Sequence, residues 1–511
     1  MENPTDDMPR PAVETAAQRP GTRARTHAIL FLAAAAIAAL CIDFGSFHRL
    51  HNSDSIVPVL MSLFRWTPFY WDQDRFGMLV ALLAVPFKNP LTNLLLQSAI
   101  DAFCGLAVFF LCARYVVRRD WLLIGAISAS LFLLFNSGEA RFLYLGLIQP
   151  YGVGMFLGLG GLLLLEAPKL SRVARLGLGF ICLLAASWVD SAVIFVLLPM
   201  IFFRWLFERG AARGLDRKLI LAAALVCASF AAMYACSGIV ARSVNYGEWP
   251  YPPVSPWKWP AMWFQFGKVF WSNYLGQMWG ISVASLLVLG ALVRFASREK
   301  IRWLSPATAN LAASAVVSFL LIGCMSHISN TSFDPRFGLP SMVLLQIGAV
   351  AWVLPPILAF LNSGGRRAVL AAGMCLFLVT PLILYGRPSM ARVRSDLDAT
   401  IGQYTPDIIQ SGATHIIGDY WKVWPAVFHA NMTLYEMGSD RRIWGVTVRS
   451  APTEIFWSQI PPAKMRLAAI HGDSAIAYTL DEYSFPPVAQ VGTFRDIVIF
   501  TPVANAEAQR N

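Results

Sequence analysis

The sequence predicts an α-helical polytopic membrane protein of about 11 transmembrane helices plus a re-entrant or surface helix, with a small C-terminal α/β domain. Hydrophobic residues make up 56% of its 511 residues and charged residues only 14%, and the mean hydropathy is +0.54. Apolar runs fill the chain as far as residue 386, and a mixed composition follows from about residue 390. Because a bilayer satisfies backbone polar groups only within helices or closed barrels, a soluble fold is excluded.

The excess of basic residues is interpreted as a topology signal. The chain has 41 Lys and Arg against 30 Asp and Glu, a formal net charge of +11, and the basic residues lie mostly in short loops between apolar runs. In a soluble protein this charge would indicate nucleic acid, but basic loops of a membrane protein orient the chain. We therefore expect the lipid bilayer and no nucleic acid as a partner, with the disordered tail 1–26 in the cytoplasm.

The predicted orientation depends on two short regions. With the tail inside, the later basic clusters also lie inside only if the apolar run 76–87 does not cross the membrane, and it is shorter than the roughly 20 residues that a spanning helix needs. That run is predicted to be re-entrant or to lie on the surface. The chain must also turn near Asp190. The predicted spans are 28–47, 91–113, 121–136, 147–166, 173–188, 191–207, 218–241, 274–294, 304–325, 338–361 and 368–386.

This topology divides the chain into a tail (1–26), a transmembrane domain (27–388), an extracytoplasmic α/β domain (389–505) and a terminal tail (506–511). Within the α/β domain, β-rich runs are predicted at 415–417, 443–448, 475–480 and 496–500. All 8 cysteines lie in apolar runs before this domain. They are predicted to be small buried apolar residues, so the α/β domain must be stable without disulfides.

The first outer loop, 48–75, concentrates charge in a chain where charge is scarce. It contains Asp54, Asp72, Asp74 and Arg75. A carboxylate at the membrane surface can act as a general base toward a hydroxyl, and a nearby Arg can hold a phosphate through paired hydrogen bonds. The three acids are therefore candidate catalytic residues. The alternative is that an interfacial loop is simply polar and that its aromatic residues form an interfacial belt.

Two further outer segments contain candidate cavity residues. In 326–340, Arg336 suits a lipid phosphate because its guanidinium is forked and always charged, and His327 and Asp334 lie beside it. An ordinary interfacial anchor explains the same residues. The other segment contributes Glu139, Arg141, Tyr144, Gln149 and Tyr151. For it, an internal Glu and Arg pair is the alternative. His48, His51 and His327 share this face and could bind a divalent metal together with the acids, although their spacing does not require it.

Several short motifs resemble those of the GT-C superfamily, the integral membrane glycosyltransferases that use polyprenyl-phosphate sugars. They are the acidic first outer loop with Asp54 in NSDS and Asp72 in WDQDR, a surface helix after it, Lys88-Asn-Pro-Leu91, Arg336-Phe-Gly-Leu-Pro340, and Gly418-Asp-Tyr-Trp421 within a terminal α/β domain. The resemblance covers most of the chain in architecture, although each motif is short.

This resemblance implies an inverting glycosyltransferase that moves a sugar from a polyprenyl-phosphate donor to a cell-envelope glycan, lipid or protein. The reaction is expected on the outer face of a bacterial inner membrane. Asp54 would be the base, with Asp72 and Asp74 positioning the acceptor or a metal and Arg75 and Arg336 holding the donor phosphate. The sequence has Asp-Ser where the family commonly has Asp-Glu or Asp-Asp, which leaves the choice between Asp54 and Asp72 open.

Two other classes of function fit the same composition. A transporter or flippase of a lipid-linked glycan would place charged residues along a path through the bundle, and Asp101 and Asp190 are acids in or at the ends of spans. A non-catalytic scaffold would use the outer domain to recruit envelope proteins.

Overall fold

The computed structural model describes residues 20–71, 76–117, 119–146, 150–209, 216–243, 253–296, 305–447, 461, 464–470, 473, 476 and 488–503, with only the backbone for 20–25, 208–209, 242–243 and 330. The first part of the chain is helical. Its helices are α1 (Pro20–Asp43), α2 (Ser53–Leu63), α3 (Leu79–Ala84), α4 (Pro90–Val116), α5 (Trp121–Phe135), α6 (Gly138–Leu145), α7 (Tyr151–Leu165), α8 (Arg172–Val189), α9 (Ile194–Arg209), α10 (Arg217–Ser243), α11 (Trp259–Phe270), α12 (Met278–Ala296), α13 (Pro306–Gly323), α14 (Ser326–Asn330), α15 (Leu339–Ala359) and α16 (Ser363–Tyr385).

The polytopic membrane class is confirmed. In the described part of the chain, 8 helices are long and apolar enough to cross a membrane: α1, α4, α8, α10, α12, α13, α15 and α16. The other three predicted spans coincide with α5, α7 and α9, which have 15, 15 and 16 residues. At 1.5 Å per residue these three helices are roughly 23 Å long, less than a hydrocarbon core of about 30 Å. Helix length alone therefore supports eight of the eleven predicted spans.

Both regions on which the predicted orientation depends have the required local structure. Within 76–87 the helix α3 has only 6 residues, about 9 Å, so it cannot cross a bilayer. Helix α8 ends at Val189, and the side chain of Asp190 accepts a hydrogen bond from the Ala192 backbone N–H to begin the next turn. Two separate helices thus replace what could have been one long span.

Helices α4 and α15 form the centre of the bundle, since 72% of the apolar window of each is buried. Close approach of backbones holds α4 against α7. A Cβ on Gly152 would lie 2.7 Å from the Cα of Gly105, so glycine is needed at this crossing. Small residues at helix contacts are the usual means of tight packing in membranes, where lipid supplies no hydrophobic driving force between helices.

The C-terminal α/β architecture is also confirmed. It consists of α17 (Met390–Ile401), α18 (Thr405–Gln410), β1 (His415–Gly418), α19 (Tyr420–Glu436), β2 (Trp444–Thr447), β3 (Leu467–Ile470), β4 (Val488–Phe494) and β5 (Ile497–Pro502). The strand order is β2-β1-β3-β5-β4. The pairs β1–β2 and β1–β3 are parallel, and β3–β5 and β4–β5 are antiparallel.

Three of the four predicted β-rich runs correspond to β1, β2 and β5. The run predicted at 475–480 lies outside the described residues except for position 476, and β3 and β4 were not predicted. Helix α19 packs between the sheet and α2. Side chains of α2, α4 and α19 share one hydrophobic core that includes Ile56, Leu60, Leu94, Val423 and Val427. The N-termini of α2 and α19 are thereby brought together.

Candidate functional site

Helix α2 positions the carboxylate of Asp54. Asn52 accepts a hydrogen bond from the Ser55 backbone N–H, and the Ser55 hydroxyl accepts one from the Asn52 N–H, which is a capping box. Asp54 therefore lies in the first helical turn, where the partial positive charge of the helix N-terminus favours a negative side chain. Every residue of α2 is buried, so the helix is a rigid support for Asp54.

Three distant parts of the chain meet at Asp54. The Tyr420 hydroxyl donates a hydrogen bond to Asp54 Oδ1 over 2.7 Å. Arg336 Nη1 lies 3.7 Å from Asp54 Oδ2, a charge contact longer than a hydrogen bond. Asp54 itself is 5% exposed. A buried carboxylate requires such partners, since an unpaired one would be strongly unfavourable.

The guanidinium of Arg336 lies between two carboxylates. Asp334 accepts a hydrogen bond from the Arg336 backbone N–H at 2.9 Å, which begins the short turn Pro335–Gly338, and its Oδ2 is 3.3 Å from Arg336 Nε. Within the described part of the chain, Nε has no partner with hydrogen-bond geometry. The side chain is 16% exposed. Arg336 thus holds a partly exposed guanidinium between the carboxylates of Asp54 and Asp334.

Tyr420 belongs to the Gly418-Asp-Tyr-Trp421 motif at the start of α19. Gly418 has φ +139°, and a Cβ there would lie 2.5 Å from Asp473 Oδ2, so only glycine fits. Asp473 in turn accepts a hydrogen bond from the Asp419 backbone N–H at 2.8 Å. Ser53 donates from Oγ to the Tyr420 carbonyl at 2.6 Å. Tyr420 was not predicted as a site residue, although an aromatic hydroxyl within a motif of the outer domain is a signal that the sequence contains.

The rest of the first outer loop supports Asp54 from its other side. Tyr70 is fully buried, and its hydroxyl donates to the backbone carbonyl of Asp54 at 2.5 Å. The candidates Asp72, Asp74 and Arg75 lie outside the described residues. Their catalytic and phosphate-binding roles stay predictions.

A chain of buried polar groups leads from the end of α1 to the cap of α2. His48 Nε2 is 2.6 Å from the Asp43 carbonyl and 3.4 Å from Asp43 Oδ1. His48 Nδ1 is 2.7 Å from His51 Nε2, and His51 Nδ1 is 3.0 Å from Ser55 Oγ. Burial, and then the charge of His48, lower the pKa of His51 well below 6.5. His51 is therefore neutral near pH 7 and transmits hydrogen bonding toward the helix that carries Asp54.

These histidines do not fit the metal site considered from the sequence. The ring nitrogens of His48 and His51 bond to each other, to Asp43 and to Ser55, and the His327 ring packs edge-on against Phe337 at 5.4 Å. Among the described residues, no three His, Cys, Asp or Glu side chains are grouped to hold a metal ion. Asp72 and Asp74 lie outside the described residues.

The segment that contains Glu139, Arg141, Tyr144, Gln149 and Tyr151 approaches Arg336 only in part. Helix α6, which has Glu139 in its first turn, contacts the turn Pro335–Gly338 that carries Arg336. Arg141 donates from Nη1 to the Leu133 carbonyl at 3.0 Å and covers the Tyr385 ring.

The remaining cavity candidates lie elsewhere. Tyr144 packs in the helical core with Phe109 and Phe132. Tyr151 is buried at the start of α7, and Gln149 lies outside the described residues. Of the acids that a transporter would use, Asp101 is buried in α4, while Asp190 serves as a helix cap. That capping contact accounts for Asp190 without a transport role.

No protein-family model matches the sequence, and no curated protein does. Among solved structures, the chain is similar to ArnT from Cupriavidus metallidurans in the apo state, with a TM-score of 0.46 and 12% identity over 94% of this chain and 99% of that one. It is also similar to the Archaeoglobus fulgidus oligosaccharyltransferase in complex with Zn and sulfate, with a TM-score of 0.36 and 12% identity over 86% of this chain and 68% of that one. At this identity the likeness concerns the fold alone, so the functional argument rests on this chain's own residues.

Proposed function

We propose that this protein is an inverting membrane glycosyltransferase that transfers a sugar from a polyprenyl-phosphate donor to an envelope glycan, lipid or protein. The convergence of Asp54, Arg336 and Tyr420 supports the proposal most directly. A carboxylate and a guanidinium are the two groups that such a reaction needs at one place. The reaction would occur on the outer face of the bacterial inner membrane, which is the side predicted for all three residues.

In the proposed reaction, an acceptor hydroxyl attacks the anomeric carbon of the donor sugar. Asp54 takes the hydroxyl proton as the new C–O bond forms. The bond from the anomeric carbon to the phosphate oxygen breaks on the opposite face, and the electron pair leaves with the polyprenyl phosphate. Arg336 stabilises the developing negative charge on that phosphate, a contribution that is largest in a site shielded from water. The anomeric configuration is inverted in this single displacement.

We favour Asp54 over Asp72 as the base for a structural reason. The carboxylate of Asp54 is held at a helix N-terminus and is also fixed by Tyr420 and Arg336, so its position is defined before substrate binds. Preorganised groups avoid the cost of reorganisation during the reaction. Asp72, Asp74 and Arg75 remain part of the proposal as groups that position the acceptor and the phosphate.

The direct test compares Asp54→Asn with Asp440→Asn, the same change at an exposed acid. Membranes containing each full-length variant are assayed by mass spectrometry for polyprenyl-phosphate sugars and for glycosylated envelope products. We expect D54N to lose at least about 100-fold of the transfer rate, as is typical for a missing general base, while D440N keeps it.

Arg336→Gln should also lower the transfer rate, because the leaving phosphate loses its cation. Arg336→Lys should recover only part of it, since Lys cannot make a forked contact. If D54N and R336Q both transferred sugar at the wild-type rate, the assignment of this site would be wrong. Accumulation of a lipid-linked glycan on the cytoplasmic side would instead indicate a flippase.

A further inference from the structure

Helix α11 is attached to one end of a candidate membrane span. Trp263 Nε1 donates to the Leu320 carbonyl at 2.9 Å, and the rings of Phe266 and Phe319 stack at a centroid distance of 4.5 Å. Just before α11, the Val254 backbone N–H donates to the Cys324 carbonyl at 2.9 Å. All three partners lie in the last turns of α13 or directly after it.

The other end of α11 contacts two more spans. The Phe270 ring meets the Trp279 ring edge-on at 6.4 Å, and Trp279 lies in the first turn of α12. A Cβ on Gly338, the residue before α15, would overlap the Phe270 ring. Helix α11 therefore crosses the bundle where α13 ends and where α12 and α15 begin. The ends of transmembrane helices lie at the bilayer interface, so this is the depth of α11.

The face of α11 that points away from these contacts is apolar and exposed. Met262, Phe266 and Phe270 are buried on the inner side. An exposed stripe at intervals of three and four residues begins with Trp257, 89% exposed in the turn before α11, and ends with Trp271, 63% exposed in the turn after it. Within α11 its members are Ala261, Phe264, which is 70% exposed, and Lys268. Trp at a membrane interface buries its apolar ring while its N–H stays near water, and Lys extends its amine outward from an apolar stem.

We propose that α11 lies in the bilayer interface on the side of the candidate site and binds lipid through this stripe, which we define as Trp257, Ala261, Phe264, Lys268 and Trp271. A helix that exposes Trp and Phe with lysine beside them is suited to the headgroup region, where the rings and the lysine stem contact lipid and the polar ends reach water. The Phe270 ring of this helix contacts Gly338, which belongs to the turn that carries Arg336. The bilayer thus supports the position of Arg336. The inference does not depend on the proposed function.

The experiment measures where the stripe lies relative to lipid. The full-length protein, with the exposed native cysteines removed (C227A/C236A/C375A), carries a nitroxide at F264C or, separately, at W271C, and is reconstituted in phosphatidylcholine and phosphatidylglycerol vesicles. Power-saturation electron paramagnetic resonance compares collisions with oxygen, which concentrates in lipid, and with a water-soluble nickel chelate. M437C is the control, because Met437 is 65% exposed at the end of α19.

We expect labels at 264 and 271 to collide more often with oxygen than with the nickel chelate, and the label at 437 to show the reverse. Nickel accessibility at 264 and 271 equal to that at 437 would overturn the proposal, because the stripe would then face water. Exclusion of both reagents would also overturn it, since protein, such as a second copy of this chain, would then cover the stripe. Each label occupies an exposed position, and size-exclusion elution at the wild-type volume verifies folding before the measurement.

Discussion

At the residue scale, the hydroxyl of Tyr420 is the most specific contact of the proposed base. Tyr420→Phe removes the hydroxyl that donates to Asp54 Oδ1. A hydrogen bond to a charged group contributes about 1.5–3 kcal/mol, and about 1.4 kcal/mol corresponds to a factor of ten. We expect the transfer rate in membranes to fall by roughly 10- to 100-fold with little change in the amount of protein.

Trp421→Phe is the matched control, because Trp421 is its half-exposed neighbour on α19. A rate for Y420F equal to that of W421F would show that the contact has no part in transfer.

His51 should make the stability of the protein depend on pH. Burial keeps its folded-state pKa well below 6.5, so below about pH 6.5 the unfolded state binds a proton that the folded state does not. Stability is therefore complete above that pH and falls as the pH decreases, by up to about 1.4 kcal/mol per pH unit for one proton. Thermal denaturation in detergent from about pH 8 to pH 5 measures the slope.

His51→Gln removes the titrating group and should reduce this slope, although it also lowers stability by breaking the bonds to His48 and Ser55. Equal slopes in wild type and H51Q would contradict the assignment.

How far single residues can be predicted depends on the range of their contacts. Asp54 and Arg336 were predicted from residue type and setting, but Tyr420 was not, because it lies 366 positions from Asp54 and only tertiary packing joins them. The bonds from Asp43 to Ser55 are local, and their spacing was visible in the sequence. Histidines near acids suit both a metal site and hydrogen bonds to each other, so residue type and spacing alone do not separate the two.

At the scale of elements, Gly338 sets the distance between α11 and the turn that carries Arg336. Gly338→Ala places a methyl group against the Phe270 ring, which is buried. Overpacking of this kind costs about 1–3 kcal/mol, so we expect a lower thermal midpoint and a lower transfer rate as the turn shifts.

Gly267→Ala is the control on the same helix. No atom lies within 4 Å of the added methyl, and alanine in a helix interior is about 0.5–1 kcal/mol more favourable than glycine. G267A should therefore raise the midpoint slightly. If the thermal midpoint of G338A were equal to or higher than that of G267A, the space between Gly338 and the Phe270 ring would be large enough for a methyl group.

The predictability of elements follows from the strength of their patterns. All eleven spans predicted from apolar runs coincide with helices. In lipid, a helix is the structure in which a single apolar segment satisfies its own backbone polar groups. Strand β3 has four buried residues, Leu467–Ile470, in a run too short to distinguish from a helix turn. Strand β4 is mostly exposed or half-buried along Val488–Phe494 and lacks the alternation that identifies a half-buried strand.

At the scale of the whole molecule, the C-terminal region is part of the site. Tyr420 contacts Asp54, Ser53 donates to the Tyr420 carbonyl, and Arg49 Nε lies 2.9 Å from Asp396 Oδ1 of α17. Removing 389–511 would also expose the apolar face of α2 that α19 covers. We expect a chain ending at 388 to reach the membrane but to lose transfer activity and to aggregate on size exclusion.

Removal of 506–511 alone, the tail predicted from the sequence, should preserve activity and elution. Full activity in the chain that ends at 388 would show that α19 has no part in the reaction.

The contact between Asp54 and Arg336 has a kinetic consequence under the proposed function. Before the donor binds, the Asp54 carboxylate and the Arg336 guanidinium form an ion pair with each other. The donor phosphate brings a second anion to the guanidinium and offsets its charge, so the carboxylate of Asp54 becomes a stronger base in the position it already occupies. Substrates should therefore add in a fixed order, donor before acceptor. An acceptor analogue would then inhibit uncompetitively with respect to the donor.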